Sequence, residues 1–199
     1  AEGHALLLEE CEELCAVASD LGCPAVVVVP SPLPERKGRD EVVEESVRVL
    51  GELGLVAERH NVGLAFEFLG QPGCSVQTLE LANEIVGHVA RANVGLVIDS
   101  FHFHAGGSSL LSVDALDPAR LFVLHINDAE DLPRERLEDR HRLLPGLGRL
   151  PLAEIVAALR RVGYNGVASV EIFRPEYWER DPFELARDAH RAAARFVGP

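Results

Sequence analysis

Apolar residues recur along the chain in two patterns that alternate from one end to the other. One pattern has the spacing of an amphipathic helix, and the other is a short continuous run rich in β-branched residues. The first pattern predicts a helix that ends near Gly22 and further helices over about residues 40–60, 76–92, 110–115, 152–162 and 182–197. The second predicts strands at residues 25–29, 63–67, 94–99, 121–125 and 167–171. Because these runs lack polar alternation, each strand is expected to be covered on both faces.

Alternating strands and helices predict an α/β fold with a parallel sheet and right-handed crossovers. Two architectures fit five such units: an open doubly wound sheet, or the last five units of an eight-stranded (β/α)8 TIM barrel. A complete barrel usually needs about 250 residues, whereas the chain has 199, contains no Met and opens directly in a helical pattern. We therefore expect an N-terminally truncated chain. On the barrel alternative, residues 1–199 are a single partial domain that lacks the first three strands.

Two segments stand apart from this alternation. Residues 31–39 are Pro-rich and charged, and predict a loop. Residues 128–149 form the longest stretch without periodicity, dense in charge and with the run Pro145-Gly146-Leu147-Gly148 near its end. Loops of this length inside a compact domain are usually functional or disordered.

The composition, with 47% hydrophobic and 26% charged residues, is ordinary for a soluble globular protein. The formal net charge of -13 is spread along the chain. It argues against nucleic acid and anionic membranes as partners, because both select clustered Lys and Arg. No apolar run reaches the roughly 20 residues that span a bilayer, so the predicted location is the cytoplasm. The four cysteines are too sparse to predict a disulfide framework.

Four of the predicted strands end in a residue type that binds divalent metal ions: Glu67, Asp99, His125 and Glu171. Parallel α/β proteins keep their chemistry at the carboxyl edge of the sheet. Three carboxylates and one imidazole suit Mn²⁺, Mg²⁺, Co²⁺ or Zn²⁺ in an open catalytic site. For each residue alone, a salt bridge or a strand-end hydrogen bond explains the position equally well. The four together predict one metal site, and they favour the barrel, in which four adjacent strand ends can converge.

Such a site predicts proton transfer next to a carbonyl group. A metal that holds a ketone oxygen and the neighbouring hydroxyl acidifies the adjacent C–H, and a carboxylate can remove that proton as general base. The resulting enediolate takes a proton back at the neighbouring carbon in an isomerase. In a dehydratase it loses a β-hydroxyl instead.

Other polar residues beyond the strand ends are candidates for substrate binding. His102 and His104 lie in what is expected to be a loop after the 94–99 strand, and we favour His102 as the hydrogen-bond donor. Asp128 or Asp131 is expected to orient the histidine of the metal site or to bind a substrate hydroxyl. Arg174 either binds substrate or forms a surface ion pair, and the sequence does not separate these alternatives.

Several segments resemble the xylose-isomerase-like sugar phosphate isomerase/epimerase superfamily, and within it most closely the inosose (2-keto-myo-inositol) isomerases. The segments are residues 66–70, 99–104, 125–131, 145–148 and 170–177. The resemblance implies a TIM barrel with one divalent metal ion held by Glu67, Asp99, His125 and Glu171. It also implies that Glu67 and Glu171 share the acid–base work and that His102 contacts a substrate oxygen.

The sequence thus predicts a metal-dependent isomerase or epimerase of a keto-polyol, with inosose as the first substrate to consider. One alternative is a dehydratase on the same scaffold, acting on inosose or a 3-dehydroshikimate-like compound. Another is a non-catalytic sugar-binding domain. The expected partner is a small-molecule polyol or keto-sugar, without nucleic acid or membrane, and a homo-oligomer is left open.

Overall fold

A computed structural model describes residues 2–33 and 38–198, apart from the side chain of Glu2. The helices of this part of the chain are α1 (Glu2–Asp20), α2 (Arg39–Arg59), α3 (Leu79–Val89), α4 (Ser100–Ala105), α5 (Leu110–Val113), α6 (Leu152–Arg161), α7 (Pro175–Trp178) and α8 (Pro182–Val197). The strands are β1 (Ala25–Val28), β2 (Gly63–Glu67), β3 (Val94–Asp99), β4 (Leu121–His125), β5 (Asp128–Ala129), β6 (Arg142–Leu143) and β7 (Val167–Ser169). The middle of the loop predicted at residues 31–39 lies outside the described residues.

Five strands form one parallel sheet in the order β1-β2-β3-β4-β7, as the alternation of elements predicts. Helices α1, α2 and α3 pack side by side and contact β1, β2 and β3, respectively. The central strand β3 is buried along its whole length. In the pairing of β3 with β4, Asp99 lies opposite His125, so these two strands bring their terminal side chains to the same edge of the sheet.

The expectation that every strand is covered on both faces is wrong for the two edge strands. Val27 in β1 is 41% exposed and Val167 in β7 is 61% exposed, whereas β2 and β3 are almost completely buried. A run of β-branched residues indicates a preference for the extended backbone. Burial depends on which layers lie against the strand, and that is a property of the neighbours.

Side-chain caps account for two differences from the predicted helices. α3 begins three residues later than expected because the Thr78 hydroxyl accepts a hydrogen bond from the backbone N–H of Leu81, at 3.3 Å. The segment after Asp99, expected to be a loop, is the helix α4. The Asp99 carboxylate caps it by accepting a hydrogen bond from the backbone N–H of His102, at 2.8 Å.

The long segment 128–149 is ordered by its own pairing rather than by periodicity. β5 and β6 pair in antiparallel fashion within it, and 3₁₀ turns lie at Arg134–Arg136 and Asp139–His141. Its start is fixed to its end, because the Asp128 carboxylate accepts four backbone hydrogen bonds from residues 129–150. Among the described helices, none has the length and apolar character needed to cross a bilayer.

Candidate metal centre

The side chains of Glu67, Asp99, His125 and Glu171 meet at the carboxyl edge of the sheet. One ligand atom from each lies within 4.8 Å of the corresponding atoms of the other three. Neighbouring strands are about 4.8 Å apart, so side chains from four strands of a flat sheet would spread over about 14 Å. Convergence within 4.8 Å is the arrangement expected of a sheet that curves toward this point, as in a barrel.

Each of the four residues has a different relation to its strand. Glu67, Asp99 and His125 are the last residues of β2, β3 and β4. The prediction that the last strand ends at Glu171 is wrong, because β7 stops at Ser169 and Glu171 lies two residues beyond it. Glu67, Asp99 and His125 are buried, and the Glu171 side chain is 32% exposed. The site therefore opens toward the solvent on the side of Glu171.

His125 stands between two acidic side chains. Its Nδ1 is 3.1 Å from Glu67 Oε1 and 3.5 Å from Glu171 Oε2. Burial by itself lowers the pKa of His125, but the hydrogen bond to Glu67 and the nearby carboxylate charges outweigh burial and raise that pKa. Burial raises the pKa of Glu171, although the charge of His125 acts against this.

Asp99 is held by donors on both of its oxygens. Besides the backbone N–H of His102 on Oδ1, its Oδ2 accepts from Arg142 Nη1 at 2.6 Å and from Asn127 Nδ2 at 2.9 Å. Burial alone would raise the pKa of Asp99, but the charge of Arg142 lowers it overall. The carboxylate is therefore fixed in orientation before any ligand binds.

Arg142 is the residue that the sequence reasoning missed. It is only 1% exposed, and its guanidinium contacts Asp99, Asp139 and His102. Its Nη1 also lies 3.6 Å from Glu171 Oε2. The sequence predicts segment 128–149 only as a charged loop without periodicity, and nothing in the residues around Arg142 marks one arginine among several as buried.

His102, the residue favoured for substrate contact, is buried and only 3% exposed. Its Nε2 is 3.0 Å from Arg142 Nη2, while its Nδ1 has no hydrogen-bond partner within the described residues. Burial lowers the pKa of His102, and the charge of Arg142 adds to this effect against that of Asp99. His104 is half-buried and stands outside the four-residue cluster.

The other predicted substrate residues are not brought to this cluster. The expectation that Asp128 orients His125 is wrong, because both oxygens of this buried carboxylate accept backbone N–H groups instead. Asp131 is exposed and lies 3.5 Å from Arg149, so its role in substrate binding stays a prediction without a supporting contact. Arg174 forms the ion-pair alternative, with Glu130 at 2.6 Å and Glu176 at 3.2 Å.

The four clustered side chains fit a divalent cation by their chemistry. Three carboxylates and one imidazole offer hard oxygen donors and one borderline nitrogen, and their mutual repulsion without a cation is relieved only in part by Arg142 and His125. A parallel sheet that curves to gather such side chains from the carboxyl ends of four adjacent strands is the arrangement of a metal-dependent TIM-barrel enzyme.

Comparison with known proteins shows to which protein family the chain belongs. A family model described as xylose isomerase-like TIM barrel matches residues 2–196, and the chain belongs to this family. The inosose isomerase of Bacillus subtilis (strain 168) is 40% identical over 196 residues, which are 98% of this chain and 70% of that relative. A 3-dehydroshikimate dehydratase of Pseudomonas aeruginosa is 30% identical over 168 residues, 83% of this chain and 26% of that relative.

Solved structures agree with the family. The 1.8 Å crystal structure of the "IOLI protein with a binding zinc atom" has a TM-score of 0.96 and 40% identity to this chain. The match covers 99% of this chain and 71% of that one. The predicted resemblance and the predicted TIM-barrel fold are thereby confirmed.

Proposed function

We propose that the protein is a divalent-metal-dependent isomerase or epimerase of a keto-polyol of the inosose type. It acts through an enediolate by proton transfer to and from a carboxylate. Residues 1–199 act as one domain, and its partner is a small-molecule polyol or keto-sugar. The predicted isomerase class is supported by the inosose isomerase of Bacillus subtilis, at 40% identity over nearly the whole chain.

The observation that carries the proposal is the convergence of Glu67, Asp99, His125 and Glu171 within 4.8 Å. These four residues would hold one divalent ion, with Mn²⁺, Zn²⁺, Co²⁺ and Mg²⁺ as the candidates. Such an ion would polarise the substrate carbonyl and acidify the C–H beside it. Because the ligands must be unprotonated, ion binding would displace the proton that His125 holds against Glu67.

Glu67 and Glu171 would share the acid–base work. The Glu171 side chain is the more accessible of the two, at 32% against 5% exposure. Burial raises its pKa, which brings the carboxylate closer to the working pH of a group that takes and returns a proton. Glu67, more deeply buried beside His125, would face the substrate from the opposite side.

His102 would bind a substrate oxygen from the enclosed side of the site, and Arg142 would hold the His102 ring in position. Both side chains are almost fully buried, and Arg142 Nη2 lies 3.0 Å from His102 Nε2. Arg174 and Asp131 already form ion pairs within the protein. We therefore assign them only minor roles in substrate binding.

A dehydratase is the second candidate, and one specific observation favours it. The 3-dehydroshikimate dehydratase of Pseudomonas aeruginosa matches 83% of the chain at 30% identity. The same carboxylates can serve either reaction, because both begin with removal of a proton beside a carbonyl. Analysis of the product separates them, since only the dehydratase releases water.

Metal content tests the proposal most directly. Elemental analysis of the wild-type protein is expected to give about one divalent ion per chain, and Glu67→Gln and His125→Ala are expected to lose most of it. Glu58→Gln is the matched control, because the Glu58 side chain is 63% exposed on α2 and away from the cluster. Wild type that holds no ion, and takes up none when Mn²⁺, Co²⁺ or Zn²⁺ is added to folded protein, would overturn the proposal. Loaded protein is then assayed with inosose.

A further inference from the structure

Arg142 connects a carboxylate of the candidate metal centre to His102. Its Nη1 donates to Asp99 Oδ2 at 2.6 Å, its Nη2 lies 3.0 Å from His102 Nε2, and its Nε donates to Asp139 Oδ1 at 3.0 Å. All three nitrogens of the guanidinium are therefore engaged at once. Because the group is planar and rigid, these three contacts determine its position and its plane.

Two aromatic rings enclose the same guanidinium. Its central carbon lies 4.7 Å from the centroid of the Phe101 ring and 5.5 Å from that of the Phe173 ring, distances at which a cation is attracted to the ring face. Arg142 is 1% exposed, so water does not compete for its hydrogen bonds. The side chain is thus held in place independently of any bound ligand.

The contact between Arg142 and His102 indicates which nitrogen of the His102 ring carries the proton. A guanidinium has N–H donors and no acceptor, so His102 Nε2 can take part in this hydrogen bond only as an acceptor and carries no proton. In a neutral imidazole the proton then resides on the other nitrogen. We infer that Arg142 is a positioning residue whose guanidinium holds the ring of His102 as the Nδ1–H tautomer.

In this tautomer, the Nδ1–H group of His102 can donate a hydrogen bond to a ligand. Nδ1 is buried and has no acceptor within the described residues, and a buried donor without a partner is costly. Its hydrogen bond is therefore available to an acceptor from outside the chain, such as an oxygen of the substrate. That last step rests on the proposed function, whereas the tautomer itself follows from the contacts of Arg142.

The experiment measures the tautomer in metal-free protein without substrate. Two-bond ¹H–¹⁵N correlation spectra of ¹⁵N-labelled protein distinguish the protonated nitrogen of each histidine ring from the bare one, and the His102 signals are assigned by their loss in His102→Asn. The expected result is a single neutral form protonated at Nδ1. A ring protonated at Nε2, or at both nitrogens at neutral pH, would overturn the inference.

A matched pair of variants tests whether Arg142 is the cause. Arg142→Met keeps a long side chain but removes every N–H donor to His102 Nε2, and the His102 signals are expected to become those of a tautomer mixture. Arg140→Met is the control, because Arg140 is two residues away, 63% exposed and paired with Glu138 at the surface. Unchanged Nδ1–H signals in well-folded Arg142→Met would show that Arg142 does not set the tautomer.

A second variant covers the case in which Arg142→Met does not fold. Asp139→Ala removes the oxygen that accepts from Arg142 Nε, at a side chain that is 42% exposed, so the fold tolerates it better. It is expected to move the His102 signals in the same direction by a smaller amount, and unchanged signals would count against the inference. Because no metal ion or substrate enters these measurements, failure of the proposed function would leave their outcome intact, and the reverse also holds.

Discussion

Asp128 is the residue whose replacement tests the architecture of the long 128–149 segment. Its Oδ1 accepts hydrogen bonds from the backbone N–H groups of Ala129 and Leu150, at 2.9 and 2.8 Å. Its Oδ2 accepts from those of Gly146 and Gly148, at 3.0 and 2.9 Å. One buried carboxylate therefore joins the start of the segment to its end. Asp128→Asn keeps the shape of the side chain and changes only its chemistry.

The size of the effect follows from counting acceptors. An amide has one oxygen and one NH₂ group, so the substituted side chain can still accept two of the four N–H groups and directs its own donors at the other two. Each buried N–H left without an acceptor costs about 1–3 kcal/mol. Because the hydrogen bonds from Gly146 and Gly148 are only part-buried, we expect the free energy of unfolding to fall by about 3 kcal/mol, in the lower half of the roughly 2–6 kcal/mol range for two fully buried groups. For a domain of this size, that corresponds to a lower melting temperature by about 6–12 °C.

The assay is urea and thermal unfolding of metal-free protein, so that ion binding does not mask the difference. Asp131→Asn is the matched control: both partners of its ion pair with Arg149 are more than 70% exposed, so it should cost less than about 0.5 kcal/mol. Hydrogen exchange is expected to accelerate at the N–H groups of Gly146, Gly148 and Leu150. A loss below about 1 kcal/mol for Asp128→Asn, or equal losses for both variants, would refute the reasoning.

Three further predictions follow from other contacts. Gly148→Ala should destabilise the protein by about 2 kcal/mol or more in urea unfolding, because an added Cβ would lie 2.1 Å from the carbonyl oxygen of Ala129; wild-type stability in this variant would contradict the packing described. Asn127→Ala removes one of the two donors to Asp99 Oδ2 and should weaken metal binding about tenfold or more in a chelator competition, and unchanged affinity would show that Asn127 does not help to orient Asp99. Burial raises the pKa of Tyr164 to about 12, above the roughly 10 of an unfolded tyrosine. Its stabilising contribution is therefore complete below about pH 10 and is lost as the pH rises toward that folded value. Tyr164→Phe should flatten this alkaline decline in melting temperature, and an identical decline in both proteins would count against it.

Local sequence patterns carried much of the fold. The spacing of apolar residues predicted α2 and α6 to within a residue or two of their bounds, and the five parallel strands in their chain order. These patterns work because a helix or a strand is selected by residues a few positions apart. They failed where a single side chain decides, as at Thr78, whose cap sets the start of α3.

The candidate site divides in the same way. Glu67, Asp99, His125 and Glu171 could be selected from the sequence because each follows an apolar run, and parallel strands deliver their last residues to one edge. The roles of Asp128 and Arg142 could not be selected, because both lie in a segment without periodicity where several charged residues look alike.

The sequence by itself determined an α/β chain with parallel strands and a set of metal-binding residue types at the strand ends. Only the tertiary structure decided how far those ends converge, which strands are exposed as edges, and which charges are buried. Arg142 meets Asp99 across 43 residues of chain and His102 across 40. A contact of that kind forms only when the sheet curves and the long segment folds back across its edge. The environment of such a residue is created by distant parts of the chain, and no pattern among its immediate neighbours encodes it.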